Sequence, residues 1–468
     1  MKPFARQVLA RVPLAEAVLL VLRWVVDETH LGNLFARHRG RCREQVISFS
    51  LLVQLISDAL LQYDGSGRQS FERAVEGGRL VASIQAAYGK LRRLPIGLSM
   101  AFLEQCTVRL QQLFPVRMLT ALPRSLSRFA VIVLDGKAIK HVARRLKLVR
   151  GAQAGLSGGR ALVAMTLKEG LALLMHAHPD GEANDVAFLS DILPVIRQRI
   201  SGCRLFLADR AFCGPKLFAW LVGSADYFVV RYAARAIFQA DPTRPARHKK
   251  DRKGRRYVEC WGWLGRPSHP QRCYVRHITL LLPGGDKLIL VTNLLEPKEV
   301  PAVDLLDLYR LRWSIEQMFQ QVTEVFHLKA LIGSTPEATI FQFAFCLLLY
   351  NIIQVVRAYV AEAQKRPGRT ISAEKLFVDV HRHLITWTDL IPLASTVAYL
   401  NSFSSPEALR ARLRRVLKSS WSDRWIKSPP SKHPPRAAPK KKTRYTHGSV
   451  YRILLAYQEK TAKNRSCG

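Results

Sequence analysis

The amino-acid sequence predicts a mixed α/β fold, in which a sheet-containing core is interrupted by a β-rich insertion and flanked by helical N-terminal and C-terminal regions. Two observations predict it. Short, nearly continuous apolar runs, typical of buried strands, begin near residue 128 and recur through residues 233–300. Helical periodicity dominates before residue 122 and after residue 361. We therefore expect a core assembled from residues 123–232 and 301–361.

The N-terminal region, residues 1–122, contains a series of amphipathic stretches separated by short polar turns such as DGSG at 64–67. These stretches predict helices over 14–38, 43–63, 70–92 and 95–114. Basic residues are scattered through the region. It is either a compact DNA-binding module or a helical scaffold with solvated basic faces.

The first part of the core, residues 123–232, alternates strands and helices. The runs FAVIVLDG, ALVAMTL and LALLMHA predict three strands, and KEG between the last two predicts a hairpin turn. NDVAFLSDILPVIRQRI (184–200) predicts an amphipathic helix with a polar N-cap. CRLFLADRAF, GPKLFAWLVGS and DYFVVRY then predict a strand, a short helix and a strand. The order is a three-strand meander followed by helix, strand, helix and strand.

Residues 233–300 form a separate β-rich block that opens with a basic run at 244–256. Three aromatic residues follow this run closely: Tyr257, Trp261 and Trp263. Helices resume at Pro301, and residues 362–468 form a helical C-terminal region whose tail, 427–445, predicts a flexible basic arm.

The charge balance narrows the possible partners. The chain has 72 Lys plus Arg against 35 Asp plus Glu, a formal net charge of +37. Such an excess favours an anionic partner, and nucleic acid is the leading candidate because Lys and Arg contact phosphates. We expect no membrane association: the longest apolar run, 339–356, contains polar amides and predicts a buried helix. The N-terminus lacks a signal-peptide pattern, and eight cysteines without a CxxC pair indicate reduced thiols in the cytoplasm.

Three acids stand out by their positions: Asp135 at the end of the first strand, Asp209 at the end of the fourth and Glu316 on the helix after the insertion. Unpaired carboxylates are costly at the ends of buried strands, and neighbouring carboxylates repel one another unless a cation lies between them. Mg²⁺ suits such oxygen ligands, and two ions can drive phosphoryl transfer. Alternatively, Asp135 occupies a turn with Gly136, and Asp209 forms a local ion pair with Arg210.

The helix over residues 309–326 has two stripes. At about 100° per residue, its polar positions fall within an arc of about 60°; they are Tyr309, Arg312, Glu316 and Thr323. Its apolar positions predict a face packed against the core; they are Leu311, Ile315, Met318, Phe319, Val322 and Phe326. The polar stripe predicts a functional face. The alternative is an exposed Arg312–Glu316 ion pair, which would contribute only about 0.2–0.5 kcal/mol.

The segments VIVLDG, LADRAF, LVTNL and YRLRWSIEQMF resemble the Asp-Asp-Glu transposases of bacterial insertion sequences, and most closely family four with its Tyr-Arg-Glu-Lys signature. The resemblance implies a ribonuclease-H-like catalytic core. It also implies that Asp135, Asp209 and Glu316 bind two Mg²⁺ ions, with Mn²⁺ as a substitute. Tyr309 and Arg312 match the residues that grip DNA phosphates.

Other DNA contacts follow from the same resemblance. Trp313 is the tryptophan usual after the arginine, Arg210 follows the second aspartate, and Thr323 stands where the family has a lysine. A threonine hydroxyl can donate to phosphate but brings no charge. Thr323 is therefore either a tolerated variant or the mark of a decayed element whose product no longer transposes efficiently.

The resemblance implies cut-and-paste transposition in the bacterial cytoplasm, at the nucleoid. The expected partners are double-stranded DNA, as terminal inverted repeats and target, and a second copy of the chain when assembled on DNA. Two alternatives stay open: a ribonuclease-H-like nuclease that cuts without joining, and a catalytically silent DNA-binding protein derived from a transposase.

The β-rich block has a role in the same hypothesis. Its basic run at 244–256 and its aromatic residues Tyr257, Trp261 and Trp263 are expected to follow DNA and shield the cleaved end. The alternative is a stabilising β-unit with an ordinary aromatic core.

Overall fold

A computed structural model of the chain describes residues 3–139, 148, 156–221, 226–251, 253–282, 284–326, 328, 330, 332–391, 393–428 and 448–466. Most of the predicted basic arm, residues 429–445, lies outside the described residues.

The N-terminal region is helical, as predicted, but its helices are shorter than the amphipathic stretches. They are α1 (Pro3–Arg11), α2 (Pro13–Val25), α3 (Glu28–His38), α4 (Phe49–Leu61), α5 (Gly67–Glu76), α6 (Ile84–Arg92) and α7 (Ile96–Gln111). The stretch over 14–38 divides where Asp27 caps α3 and accepts a hydrogen bond from the backbone N–H of His30 at 3.0 Å. Ser48, Ser66 and Ser83 cap α4, α5 and α6 in the same way. Side-chain caps therefore set these helix boundaries.

The first part of the core forms a mixed sheet. Its strands are β1 (Ala130–Ala138), β2 (Leu156–Ser157), β3 (Arg160–Thr166), β4 (Leu171–His178), β5 (Arg204–Ala208) and β6 (Asp226–Arg231). β4, β3 and β1 form the predicted antiparallel meander, and β5 and β6 continue the sheet parallel to β1. The KEG turn closes the β3–β4 hairpin, where Gly170 adopts φ +70°, a conformation that favours glycine.

The helices of this part are α8 (Leu189–Arg199), entered through a 3₁₀ turn capped by Asn184, and α9 (Pro215–Leu221). They pack on the face of the sheet that carries Ile132, Leu134 and Phe206. Val131, Val133 and Leu205 point to the opposite face and join the core formed with the other helices of the chain. The sheet is thus buried on both faces, which explains its nearly continuous apolar strands.

The strands of residues 233–300 extend the central sheet. They are β7 (Phe238–Ala240), β8 (Arg247–Lys250), β9 (Arg256–Leu264), β10 (Cys273–Leu281) and β11 (Lys287–Thr292). β11 pairs antiparallel with β6, with Val291 opposite Val230. The β-rich block was expected to be separate from the core; instead, its strands share one sheet with the core strands.

Two arrangements of charge lie inside this β-rich part. The guanidinium groups of Arg244 and Arg247 lie 4.1 and 5.2 Å from the ring centroid of the buried Trp261. Arg276, fully buried, pairs with Glu259 at 2.5 Å and donates to the carbonyl oxygen of Val300 at 2.7 Å. The second arrangement ties β9 and β10 to the chain segment that leads into the next helix.

After this segment come α10 (Ala302–Arg310), α11 (Trp313–Glu324) and α12 (Pro336–Ala363). By length and composition α12 could cross a membrane, but its most apolar window is 100% buried inside the protein. Asn351 on α12 explains one polar residue in this run: its side-chain amide donates to the hydroxyl of Thr107 at 3.0 Å and accepts from the backbone N–H of Ala172 at 2.8 Å. A satisfied buried amide thus joins α12, α7 and β4.

The C-terminal helices are α13 (Ala373–Leu390), α14 (Leu393–Leu400), α15 (Pro406–Leu417) and α16 (Val450–Ser466). The short strand β12 (Gly448–Ser449) pairs with β2. α13 and α15 pack against α2. The buried Glu16 of α2 accepts hydrogen bonds from Tyr399 at 2.5 Å and from Arg412 at 2.6 Å. The two ends of the chain therefore share one helical layer.

Candidate active site

The pairing of β1 with β5 brings two of the predicted acids together. In this parallel pair Leu134 lies opposite Ala208, so the next residues, Asp135 and Asp209, emerge side by side on adjacent strands. Neighbouring strands lie about 5 Å apart. Because side chains alternate along a strand, both carboxylates continue the face that carries Val133. The sequence predicted both positions but could not give this register.

One prediction about β1 was wrong. The strand does not end at Asp135: it continues to Ala138, because residues 135–138 pair with β3 after the pairing with β5 has stopped. Gly136 is therefore a strand residue, not a turn residue. A methyl group on Gly136 would meet the carboxyl group of Asp185 at about 2.1 Å.

The contact at Gly136 reveals a charged pair that the sequence did not indicate. Arg160 on β3 donates two hydrogen bonds of 2.5 Å to the carboxylate of Asp185, in the turn before α8. The pair is partly buried and lies against the residue next to Asp135. Its partners are 25 positions apart, so no local motif could have pointed to it.

The predicted single helix over 309–326 is two helices, because the chain turns at Leu311 and Arg312 between α10 and α11. Ile315, Met318 and most other predicted apolar positions are buried, but Leu311 is 37% exposed and is not a core residue. Conversely, the Tyr309 side chain is buried, although the polar stripe suggested an open face. The turn rotates the two helices relative to each other, so one helical wheel does not describe both.

Arg312 links two of the acids. Its guanidinium lies 2.5 Å from a carboxylate oxygen of Glu316 and 3.7 Å from one of Asp135. The Arg312 side chain is only 10% exposed, so water screens its charge little. The Arg312–Glu316 pair exists, as the alternative interpretation required, but it is not an ordinary exposed pair.

Tyr309 connects α10 to the end of β5. Its hydroxyl donates to the carbonyl oxygen of Ala208 at 3.4 Å, immediately before Asp209. Burial raises the pKa of Tyr309 to about 12, so this phenol stays neutral at physiological pH. Trp313, at the start of α11, is 57% exposed, and Arg210, directly after Asp209, is also exposed.

The electrostatics of Asp135 reflect this crowding. Burial raises the pKa of Asp135 to about 6, against the opposing effects of Arg312 and of the Gly136 backbone N–H. The negative charges of Glu316 and Asp209 raise this pKa further. The three carboxylates are thus close enough to act on one another.

Thr323 stands where the resemblance places a lysine, and the structure shows a different lysine, Lys137, beside this helix. The Thr323 hydroxyl donates to the carbonyl oxygen of Phe319 at 2.6 Å, within its own helix, so it is not directed at a ligand. The sequence of α11 contains no Lys or Arg. Lys137, two residues after Asp135 on the same strand face, has its Nζ 5.5 Å from the Phe319 ring centroid. Ending the strand at Asp135 hid this lysine from the sequence analysis.

The fit of a metal ion can be judged from these side chains. Within the described residues, no three His, Cys, Asp or Glu side chains are gathered closely enough to hold a metal ion. Arg312 instead serves as the counter-ion of Asp135 and Glu316. The donor types still suit a hard divalent cation, because Mg²⁺ takes carboxylate oxygens as ligands and the charges of Glu316 and Asp209 act on Asp135.

The fold and the site define a mixed α/β protein with an acid cluster, Asp135, Asp209 and Glu316, beside two inner strands of a central sheet. Residues 127–352, just under half of the chain, match the family described as Transposase DDE domain. This match contains Asp135, Asp209 and Glu316. No curated protein matches the chain significantly.

Among solved structures, the chain is similar to a piggyBac transposase in a synaptic complex with hairpin DNA, determined by cryo-EM. The TM-score is 0.42, the sequence identity is 11%, and the alignment covers 87% of each chain.

Proposed function

We propose that the chain is a DNA transposase that cleaves DNA at the ends of its element and joins the freed 3′-OH to a target strand. The observation that carries the proposal is the β1–β5 register, which sets Asp135 beside Asp209 on the face toward Glu316. These acids lie in the segment that matches the Transposase DDE domain.

In this proposal the carboxylates of Asp135, Asp209 and Glu316 hold two Mg²⁺ ions, with Mn²⁺ as a substitute. When bound, the ions activate a water or the 3′-OH and stabilise the leaving oxygen. The mutual repulsion of the acids supports a cation site, because their charges are otherwise balanced only in part, by Arg312. Arg312 is the counter-ion of the acids in the free protein and turns its guanidinium toward a DNA phosphate in the complex.

The remaining residues position DNA. Tyr309 fixes α10 against the strand end that precedes Asp209, and the exposed Trp313 offers a ring on which a base can stack. Arg210 and Lys137 contact phosphates. Lys137 supplies a cation beside the helix, where Thr323 supplies none.

The proposal extends to the fold of the core, the transposase family and the mode of transposition. The strand order β4-β3-β1-β5-β6, three antiparallel strands followed by two parallel ones, supports a ribonuclease-H-like core made of residues 123–232 and 301–361. We assign the chain to bacterial insertion-sequence family four, with cut-and-paste movement at the nucleoid. Terminal repeats and target DNA are its substrates, and two copies assemble on the paired ends. Residues 1–122, the β-rich part 233–300 and the C-terminal region 362–468 extend the DNA-binding surface.

One observation favours a second function, that of a catalytically silent DNA-binding protein. Arg312 already forms ion pairs with both Asp135 and Glu316, where a metal ion would otherwise bind. A protein in which Arg312 stays in place would bind DNA without cutting it. A nuclease that cuts without joining is the other alternative.

Joined products test the proposal. The native chain and Glu316→Gln are each incubated with Mg²⁺, a plasmid carrying the DNA that flanks the gene, and a second plasmid as target. We expect element ends joined to the target with the native chain only. Cleaved ends without joined products would indicate the nuclease. Binding without cleavage by either protein would indicate the silent DNA-binding protein.

A further inference from the structure

A basic cleft lies beside the candidate active site, at the carboxyl ends of β5 and β6. Its volume is about 610 Å³. Its walls come from the turn after β5, the segment after β6 and the start of β11; the charged or aromatic lining residues are Asp209, Arg210, Arg231, Tyr232, Arg235 and Lys287. The cleft therefore joins the core to the β-rich part, and Asp209 belongs both to it and to the acid cluster.

The net positive charge of the cleft favours an anionic ligand. Four of its lining side chains are cationic, all on exposed residues, and the one carboxylate among the lining residues is Asp209. Arg235 also donates to the carbonyl oxygen of Ala211 at 2.9 Å, which ties the segment after β6 to the turn after β5. The cations thus come from separate segments that are held together around one opening.

The dimensions of the cleft limit the ligand. Pockets of roughly 300–1,000 Å³ enclose small organic ligands, so this cleft has room for one or two nucleotides but not for a duplex. Single-stranded nucleic acid sites combine basic grooves with aromatic walls. Tyr232 provides such a wall, and its ring is held edge-on by His277 at 5.3 Å between centroids.

We propose that this cleft binds the sugar-phosphate backbone of a single DNA strand that leads away from the phosphodiester at Asp209. Arg231 and Lys287 contact its phosphates, and the cleft accepts the strand only where the duplex is unpaired. This inference rests on the proposed function, since it takes the acid cluster as the point from which the strand departs.

The test is a metal-free binding titration. Fluorescence anisotropy compares the full native chain on a blunt duplex and on the same duplex with a short single-stranded tail, over a series of salt concentrations. We expect tighter binding to the tailed DNA and a salt slope steeper by about 0.7 for each additional phosphate contact. Arg231→Gln with Lys287→Gln is expected to abolish the advantage of the tail and to leave blunt-duplex binding close to native.

The matched control is Arg266→Gln with Lys298→Gln, which removes two exposed cations of the same β-rich part outside the cleft. It should keep the advantage of the tail. Equal binding of both DNAs by the native chain, or equal loss of the advantage in both double variants, would overturn the proposal. If the first double variant does not fold, Lys287→Gln alone decides by the same comparison.

This result is separable from the proposed function. No metal is present and no bond is cut in the titration, so a catalytically silent protein would give the same answer about the cleft. A tail advantage without any cleavage in Mg²⁺ overturns the transposase proposal alone. Cleavage without a tail advantage overturns the cleft alone.

Discussion

Asp135 is a residue at which burial and charge oppose each other. Its side chain is 20% exposed, and its carboxylate lies within the electrostatic reach of Arg312, Arg160 and two other carboxylates. Burial outweighs the favourable pairing with Arg312, so the pKa of Asp135 rises to about 6. A carboxyl group with a raised pKa stabilises the folded chain in its protonated form and destabilises it when ionised. The ionised form is the one that binds a cation.

The substitution Asp135→Asn is therefore expected to change the stability of the fold in a pH-dependent way. In the native chain, the protonated Asp135 carboxyl stabilises the fold fully below a pH of about 4, and this stabilisation is lost as the pH rises through about 6. Relative to the native chain, the free energy of unfolding of Asp135→Asn should rise across this window, by up to about 3 kcal/mol at pH 8. Urea unfolding at a series of pH values measures it, with the exposed Asp389→Asn as control. A difference that does not change with pH would contradict this account of Asp135.

Substitutions at Lys137 and Thr323 can move one positive charge from β1 to α11. Lys137→Gln should weaken binding to DNA ends and reduce the salt slope by about 0.9, the effect of one lost phosphate contact. Adding Thr323→Lys should restore both, because residue 323 lies one turn beyond Phe319, over whose ring Lys137 now lies. Anisotropy titrations measure the change.

Lys168→Gln, in the turn between β3 and β4, is the control for this exchange. It removes the same charge at the opposite end of β1 from the acids, since Thr166 pairs with Ile132 and Val163 with Asp135, and it should leave the salt slope nearly unchanged. Restoration by Thr323→Lys is the decisive outcome. If the double variant binds no better than Lys137→Gln, the two positions do not serve the same contact.

At the scale of elements, the sequence predicted the strands that carry the acids but not how they pair. Apolar runs indicated β1 and β5, since both are buried on two faces. An acid after an apolar run suggested a strand end, which was right for Asp209 and wrong for Asp135, because β3 continues the pairing. The turn at Leu311, between α10 and α11, was also missed, since both neighbouring segments have helical periodicity. Pairing and helix breaks depend on contacts that are distant in sequence.

The buried Arg276–Glu259 pair predicts how the β-rich part is attached to the core. Arg276→Met should lower the free energy of unfolding by about 3–5 kcal/mol, because it leaves the buried Glu259 without its partner. The double variant with Glu259→Leu should be closer to the native value, since no charge is then left alone. Chemical unfolding followed by tryptophan fluorescence measures both.

Arg128→Met is the matched control for the buried pair. Its partner is Glu299 at 3.1 Å, but the two side chains are 53% and 62% exposed. An exposed pair contributes only about 0–1 kcal/mol, so this variant should unfold almost like the native chain. Equal losses in Arg128→Met and Arg276→Met would contradict a special role for the buried pair.

At the scale of the whole molecule, the +37 charge predicts how DNA binding depends on salt. A protein that neutralises several phosphates releases their counterions, so the logarithm of its affinity should fall linearly with the logarithm of salt concentration. For about six to ten contacts, the affinity should fall by about 10³–10⁵ between 50 and 200 mM salt. Anisotropy with a duplex of arbitrary sequence measures this slope. A slope near zero would contradict an electrostatic DNA-binding surface.

Helices from both ends of the chain pack together and onto the sheet that carries the candidate active site. Helices from the N-terminal and C-terminal regions meet at Glu16, and α7 and α12 pack on β4. Composition indicated these helices and the buried nature of α12, but the long-range bonds at Glu16 and Asn351 join residues far apart in sequence. The packing of the outer helices on the sheet therefore depends on contacts that the local sequence does not reveal.

The most direct test of the central claim is metal-dependent cleavage of labelled DNA from the ends that flank the gene. Native chain, Asp209→Asn and Glu316→Gln are compared in Mg²⁺ and in EDTA, with Asp191→Asn, an exposed acid on α8, as control. We expect the native chain and Asp191→Asn to release a 3′-OH end in Mg²⁺ only, and the other two variants to bind the DNA without cutting it. Cleavage that persists in Asp209→Asn and Glu316→Gln would contradict the assignment of this acid cluster as the active site.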